Sequence, residues 1–146
     1  MERIVVQYPV MEHFYTIQGE GINTGKAAYF IRLAGCDVGC VWCDVKDSWS
    51  KEGYPLMKVE DMMEVIQQHH ANMAVITGGE PLMHNLDELC EQLTTAGITS
   101  CIETSGAYPL SGRWDWICVS PKKFKAPLKE VLQEADELKV IIYNKS

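Results

Sequence analysis

No stretch of this 146-residue chain approaches the roughly 18–20 consecutive apolar residues that span a bilayer. Its opening, Met-Glu-Arg-Ile-Val-Val-Gln-Tyr-Pro, lacks the long apolar segment of a secretory signal. Basic charge is also scarce. Thirteen Lys and Arg stand against 20 Asp and Glu, a formal charge of −7. That balance argues against a nucleic-acid or anionic-membrane surface, where cations should be in excess. No internal repeat, low-complexity tract or long linker divides the chain, so one domain over residues 1–146 is expected. These absences predict a cytoplasmic protein with neither a nucleic acid nor a membrane as partner.

Cysteine is present, six times, but a disulfide framework does not suit a chain of this size with no secretory signal. Cys90, Cys101 and Cys118 sit singly in apolar segments and are expected to fill the core, as cysteine often does. The other three are clustered: Cys36-Asp-Val-Gly-Cys40-Val-Trp-Cys43, a Cys-x3-Cys-x2-Cys spacing. No fourth cysteine or histidine lies close enough in sequence to complete a tetrahedral site, and structural zinc sites are closed by four ligands. Three thiolates on one compact loop therefore suit an iron–sulfur cluster with one iron left open to a small molecule. A zinc site completed by a distant His69, His70 or His84 is the alternative.

Apolar runs of strand character alternate with helical periodicity, as in βα units. Strands are expected at Ala28–Leu33, Met73–Thr77, Thr99–Glu103, Trp114–Val119 and Leu138–Tyr143, and helices at Val59–His70, Leu86–Ala96 and Pro127–Ala135. The cysteine loop, Gly78-Gly79-Glu80-Pro81, Glu103-Thr104-Ser105-Gly106 and Ser120-Pro121-Lys122 all fall at or just past strand ends. Parallel α/β sheets and barrels build their active sites along that edge. The glycine pair would let a ligand approach the backbone, Glu80 would accept from an amine, and the hydroxyls and cation would suit ribose and a carboxylate.

Before the first expected strand, Gln18-Gly19-Glu20-Gly21 and Thr24-Gly25-Lys26 form a second glycine-rich stretch. It lacks the spacing of a phosphate-binding P-loop. Its Gln and Glu suit the amide and amine edges of a heterocycle instead. Arg32 is the one charge inside an apolar strand. It is either half of an internal ion pair or a bidentate clamp on a substrate carboxylate. Trp42, between two of the cysteines, is placed to shield a cluster.

With these motifs assembled, the chain resembles the radical S-adenosylmethionine (SAM) superfamily, and within it the 7-carboxy-7-deazaguanine synthase family. The likeness runs from about Tyr8 to the end and rests on Tyr15–Gly21, Phe30–Cys36, the cysteine triplet with Trp42, Thr77–Pro81, Glu103–Gly106 and Ser120–Lys122. It implies an α/β fold, a partial (β/α) barrel of the radical SAM type lacking the family's C-terminal part. Cys36, Cys40 and Cys43 would hold a 4Fe–4S cluster. Trp42, Asp44, Gly79, Glu80, Ser105, Ser120, Pro121 and Lys122 would line the SAM site, with Glu80 near the methionine amine. Ile17, Gln18, Gly19, Glu20, Arg32 and Thr77 would hold 6-carboxy-5,6,7,8-tetrahydropterin.

The reaction implied is reductive cleavage of SAM, hydrogen abstraction from the pterin, ring contraction and loss of ammonia, giving 7-carboxy-7-deazaguanine for queuosine and other 7-deazapurines. An electron donor such as a flavodoxin and a homodimeric state belong to the same expectation. Family members place a Thr or Ser hydroxyl on Mg2+ just past the third cysteine and its Asp. Here the pair is Asp44-Val45, and valine offers no oxygen. Substrate, water, Asp44 or Asp47 would then have to hold the ion. Two other readings share the cluster loop: a glycyl-radical activase, against which Gln18, Glu20 and Arg32 argue, and a metal- or cluster-binding module without turnover.

Overall fold

The computed structural model describes residues 5–35, 41–42, 53–122 and 125–140, with Val41 and Trp42 described by backbone alone. One eight-stranded sheet organises them. Its strands are β1 (Val5–Ile17), β2 (Ala27–Leu33), β3 (Val41–Trp42), β4 (Leu56–Lys58), β5 (Met73–Gly78), β6 (Thr99–Thr104), β7 (Trp116–Val119) and β8 (Glu137–Leu138). The order is β3-β1-β2-β5-β6-β7-β8, with β4 also paired to β1. From β2 to β8 the pairings are parallel, whereas β1 runs antiparallel to β2, β3 and β4. This is an open α/β sheet of partial-barrel type, and four of the five strands expected from the sequence are parallel members of it, β7 starting at Trp116; of the fifth expectation only Leu138 lies in β8.

Helices α1 (Val59–Gln68), α2 (Asp87–Thr95) and α3 (Lys129–Glu134) pack on one face. There Val59, Met62 and Ile66 of α1, Leu89 and Leu93 of α2 and Val131 of α3 meet Tyr29, Ile31, Leu33, Ala74, Ile76, Ile102, Ile117 and Val119 in one core. Alternation along each strand sends the intervening residues to the other face. None of the helices is long and apolar enough to cross a membrane.

Beyond β7, which starts at Trp116, and short trims at the ends of α1 and α2, three elements depart from expectation. The 13-residue β1 went unread in the sequence, where Pro9 argues against a strand. In the sheet, Pro9 faces Leu56 of β4 and its carbonyl accepts from the Ala34 amide at 2.9 Å. α3 begins two residues later than expected, after Leu128 in extended conformation. β8 begins at Glu137 and is only two residues long, while residues 141–143 lie outside the described part of the chain.

β1 also carries a bulge. Val10 faces Leu33 but Glu12 faces Arg32, so Met11 is the extra residue.

Candidate active site

The strand-end motifs meet along one rim. Gly78 and Gly79 are required there by the neighbouring chain: a Cβ on Gly78 would lie 2.5 Å from the Leu33 carbonyl oxygen, and one on Gly79 would lie 2.7 Å from the Gly35 nitrogen. The side on which a side chain would stand is taken by the backbone leading into the cysteine loop. Next along the rim, Glu80 is buried and caps the 3₁₀ turn Pro81–Met83. Its carboxylate accepts from Leu82 N at 2.8 Å, Thr104 Oγ1 at 2.6 Å, Ser105 N at 2.8 Å and Ser105 Oγ at 2.6 Å. Thr104 O in turn accepts from Ser120 N at 2.8 Å. Gly79, Glu80, Ser105 and Ser120, four of the residues expected around SAM, thus form one connected edge. Pro121 follows half-buried and Lys122 exposed. Lys122 forms an isolated antiparallel bridge with Lys125.

His84, just beyond, is buried, and its Nε2 lies 2.8 Å from the Ala34 carbonyl oxygen. It holds the stem of the cysteine loop from below. No sequence signal marked that role.

The face opposite α1, α2 and α3 supplies a second group. Phe14, Phe30, Val75, Cys101 and Trp116 form an apolar row across five strands. One step nearer the rim the row turns polar: Glu12 faces Arg32, Arg32 faces Thr77, Glu103 faces Cys118, and Cys118 faces Glu137. Thr77 and Glu103 lie one residue beyond the Ile76–Ile102 pair and so close the row. Arg32 is only half-buried; its Nε donates to Glu12 Oε1 at 2.9 Å and its Nη1 to the Gly78 carbonyl at 3.4 Å. Of the two sequence readings of Arg32, the ion pair is present.

The Gln18–Gly21 segment folds over this face. Gln18 Nε2 donates to Glu103 Oε2 at 3.5 Å, Glu20 pairs with Lys139, and Gly21, at φ +74°, packs against the Glu137 carboxylate. What remains beneath the loop is a cavity of about 10 Å³, one water's worth. The hydrogen bond from Lys139, reinforced by its charge, holds the Glu20 carboxyl below its ordinary value. Burial alone would depress Lys139, but its bond to Glu20 and the attraction of Glu103 outweigh it and raise the ammonium's pKa. Gly19 has open space around its Cβ direction, and Ile17 is exposed at the end of β1. Glu137 and Lys139 were not singled out from sequence, and Glu103 only as the start of the Glu103–Gly106 motif; the strand alternation that places Arg32 on this face also places Glu103 and Glu137 there.

Burial raises the thiols of Cys90 and Cys101 to about 12 and that of Cys118 to about 11. All three are buried and free, as core cysteines should be. Cys36, Cys40, Cys43, Asp44 and Val45 lie outside the described residues. The approach to them is described on both sides: Gly35 abuts Gly79, and the backbone of Trp42 pairs with Val5 of β1. Because Val10 is opposite Leu33, residues 5–9 run past the end of β2, on the rim side.

A family model described as the radical SAM superfamily matches residues 30–119. The 7-carboxy-7-deazaguanine synthase of Flavobacterium psychrophilum is 55% identical over 137 residues, covering 94% of this chain and 65% of that protein. The protein of the same name from Synechocystis sp. is 48% identical over 141 residues, covering 97% and 68%. A solved structure, "Crystal structure of QueE from Escherichia coli", superposes with a TM-score of 0.76 at 38% identity, covering 92% of this chain and 70% of that one. The fold and rim are those of a radical SAM protein. Within that superfamily, the chain belongs to the 7-carboxy-7-deazaguanine synthase family, and it spans less than two thirds of the length of the F. psychrophilum relative.

Membership implies an iron–sulfur cluster and SAM. The donor set fits both: three cysteines at the family spacing for the cluster, and a rim of hydroxyls, backbone amides and carbonyls for a ligand bearing ribose hydroxyls and an amino acid.

Proposed function

We propose that this protein converts 6-carboxy-5,6,7,8-tetrahydropterin to 7-carboxy-7-deazaguanine with loss of ammonia. The observation that carries this reading is the polar row on the open sheet face. Arg32 and Thr77 stand side by side there, and the loop bearing Gln18 and Glu20 folds over the same face. Cys36, Cys40 and Cys43 hold the cluster; Trp42, Asp44, Gly79, Ser105, Ser120, Pro121 and Lys122 surround SAM. When bound, that pair supplies the one-electron cleavage and hydrogen abstraction.

The residues of this chain bind and orient. Arg32 meets the substrate carboxylate with the guanidinium edge that Glu12 and Gly78 leave open. Gln18 and Glu20 take the amide and amine edge of the pterin, which requires the loop to lift from Glu103 and Lys139. Thr77 closes the pocket between them. Glu80 keeps the Thr104 and Ser105 hydroxyls at the rim, and the methionine amine takes the place of one of those donors. Expulsion of water by the returning loop then protects the reacting pterin.

Magnesium, with Val45 in place of a hydroxyl, is held through substrate, water, Asp44 or Asp47. A flavodoxin-type electron donor and a homodimer complete the proposal.

The test is anaerobic reconstitution with iron and sulfide. A brown protein that cleaves SAM under reduction and converts the carboxypterin is expected. Bound zinc without iron would sink the cluster assignment, and SAM cleavage with an unchanged pterin would sink the substrate.

A further inference from the structure

Arg32 does not hold its own orientation. A guanidinium has five N–H donors in a fixed plane. Two of them are engaged here, Nε by Glu12 at 2.9 Å and Nη1 by the Gly78 carbonyl at 3.4 Å. Those contacts engage Nε and Nη1, and among the described residues nothing bonds Nη2, so the edge between the two terminal nitrogens is the part left for a ligand. That edge is the fork that matches a carboxylate.

The Glu12–Arg32 pair has little reason to exist for stability. Its side chains are 53% and 39% exposed, and pairs so exposed add little to stability. Yet the backbone is bent to make it. Continuing the Val10–Leu33 register by one step would put Met11 opposite Arg32; the bulge inserts Met11 and brings Glu12 there instead. Bulges commonly re-aim a side chain beside an active site.

We propose that Glu12 is a positioning residue for Arg32, and that the Met11 bulge and Glu12 together set the protein's preference for a carboxylated over a decarboxylated pterin. This rests on the reading of Arg32 as the carboxylate clamp.

The experiment measures binding by calorimetry on the full-length, cluster-loaded protein with SAM and no reductant, so that no turnover occurs. The probes are 6-carboxy-5,6,7,8-tetrahydropterin and 5,6,7,8-tetrahydropterin, and the readout is the ratio of their affinities. Glu12→Ala is expected to lower that ratio about tenfold by weakening the acid alone. Glu12→Gln keeps an oxygen for Nε–H and is expected to stay within about twofold of the parent. Circular dichroism melting of each variant checks the fold. An unchanged or increased ratio in Glu12→Ala overturns the proposal, an increase meaning that Glu12 competes with the substrate. Arg32→Ala separates the two layers: if it keeps the ratio, the clamp itself is wrong, whatever Glu12 does.

Discussion

Ser105 donates twice to one oxygen: its amide and its hydroxyl both reach Glu80 Oε1, at 2.8 and 2.6 Å. Through that joint the end of β6 is tied to the end of β5, and the Thr104 hydroxyl and Leu82 amide fill the other carboxylate oxygen. A rim that must present hydroxyls at fixed positions is thereby braced from within, by a carboxyl group that is buried and fully hydrogen-bonded.

Removing the brace should be costly. Glu80→Ala leaves four donors without their acceptor and is expected to destabilise the fold by about 3 kcal/mol or more, Glu80→Gln by about half of that. Urea titration checks this, through the midpoint at unchanged slope. SAM affinity should fall in both variants, because the Ser105 hydroxyl loses its anchor.

Gly78→Ala and Gly79→Ala should each disturb the stem of the cysteine loop. Their methyl groups would press on backbone at Leu33 and Gly35, which has no side-chain freedom with which to yield. A loss of about 1–3 kcal/mol is expected, accompanied by reduced iron content after reconstitution. Full iron loading at parental stability would argue that the stem shifts freely.

The Glu20–Lys139 latch has a defined pH range. Glu20 has a lowered folded pKa, so its contribution is present above its ordinary 4.5 and is lost as pH falls through the folded value. Lys139 is raised, so its contribution is present below its ordinary 10.5 and is lost as pH rises through the folded value. Between these limits the loop should stay closed, with less than about 1 kcal/mol at stake because Glu20 is exposed. Hydrogen exchange of residues 18–26 should accelerate in Lys139→Met and at high salt. Exchange in the variant equal to the parent would show that the loop is held by other contacts.

Cys90, Cys101 and Cys118 should resist alkylation in the native state at pH 8, since thiols at about 11–12 are almost wholly protonated there and are buried. Iodoacetamide mass mapping before and after denaturation is the measurement. Rapid native labelling of any of the three would mean that its strand or helix opens.

On the proposed magnesium assignment, Val45→Thr is expected to lower the magnesium concentration needed for turnover several-fold, because a side-chain oxygen would replace a ligand drawn from water or substrate. An unchanged magnesium dependence would place the ion's ligands elsewhere.

Four of the parallel strands were legible because each is a short apolar run bounded by turn residues, and the rim because its motifs recur at the same point of each βα unit. β1 was not legible: Pro9 and the Met11 bulge break its alternation, and its pairing depends on β2, β3 and β4, none of which is adjacent to it throughout. The partners of the site residues were hidden for a related reason. Glu12 meets Arg32 only through the bulge, and Lys139 meets Glu20 across 119 residues of sequence. Family likeness could assign Arg32, Gln18 and Glu20 to a ligand. Only the fold could reveal that each already has a partner to release or to lean on.

The two-sided strands restrict how this protein can drift. Arg32 lies between Ile31 and Leu33, both completely buried on the helical side. Inserting or deleting one residue in β2 would drive the guanidinium into the hydrocarbon interior and turn an isoleucine or leucine toward the ligand. Lineages can therefore retune the open face by point replacement within the strands, or by length changes in loops such as residues 18–26. Frame-preserving indels inside β2, β5 or β6 should be purged, and a mutational scan that includes single-codon deletions would reveal that boundary directly.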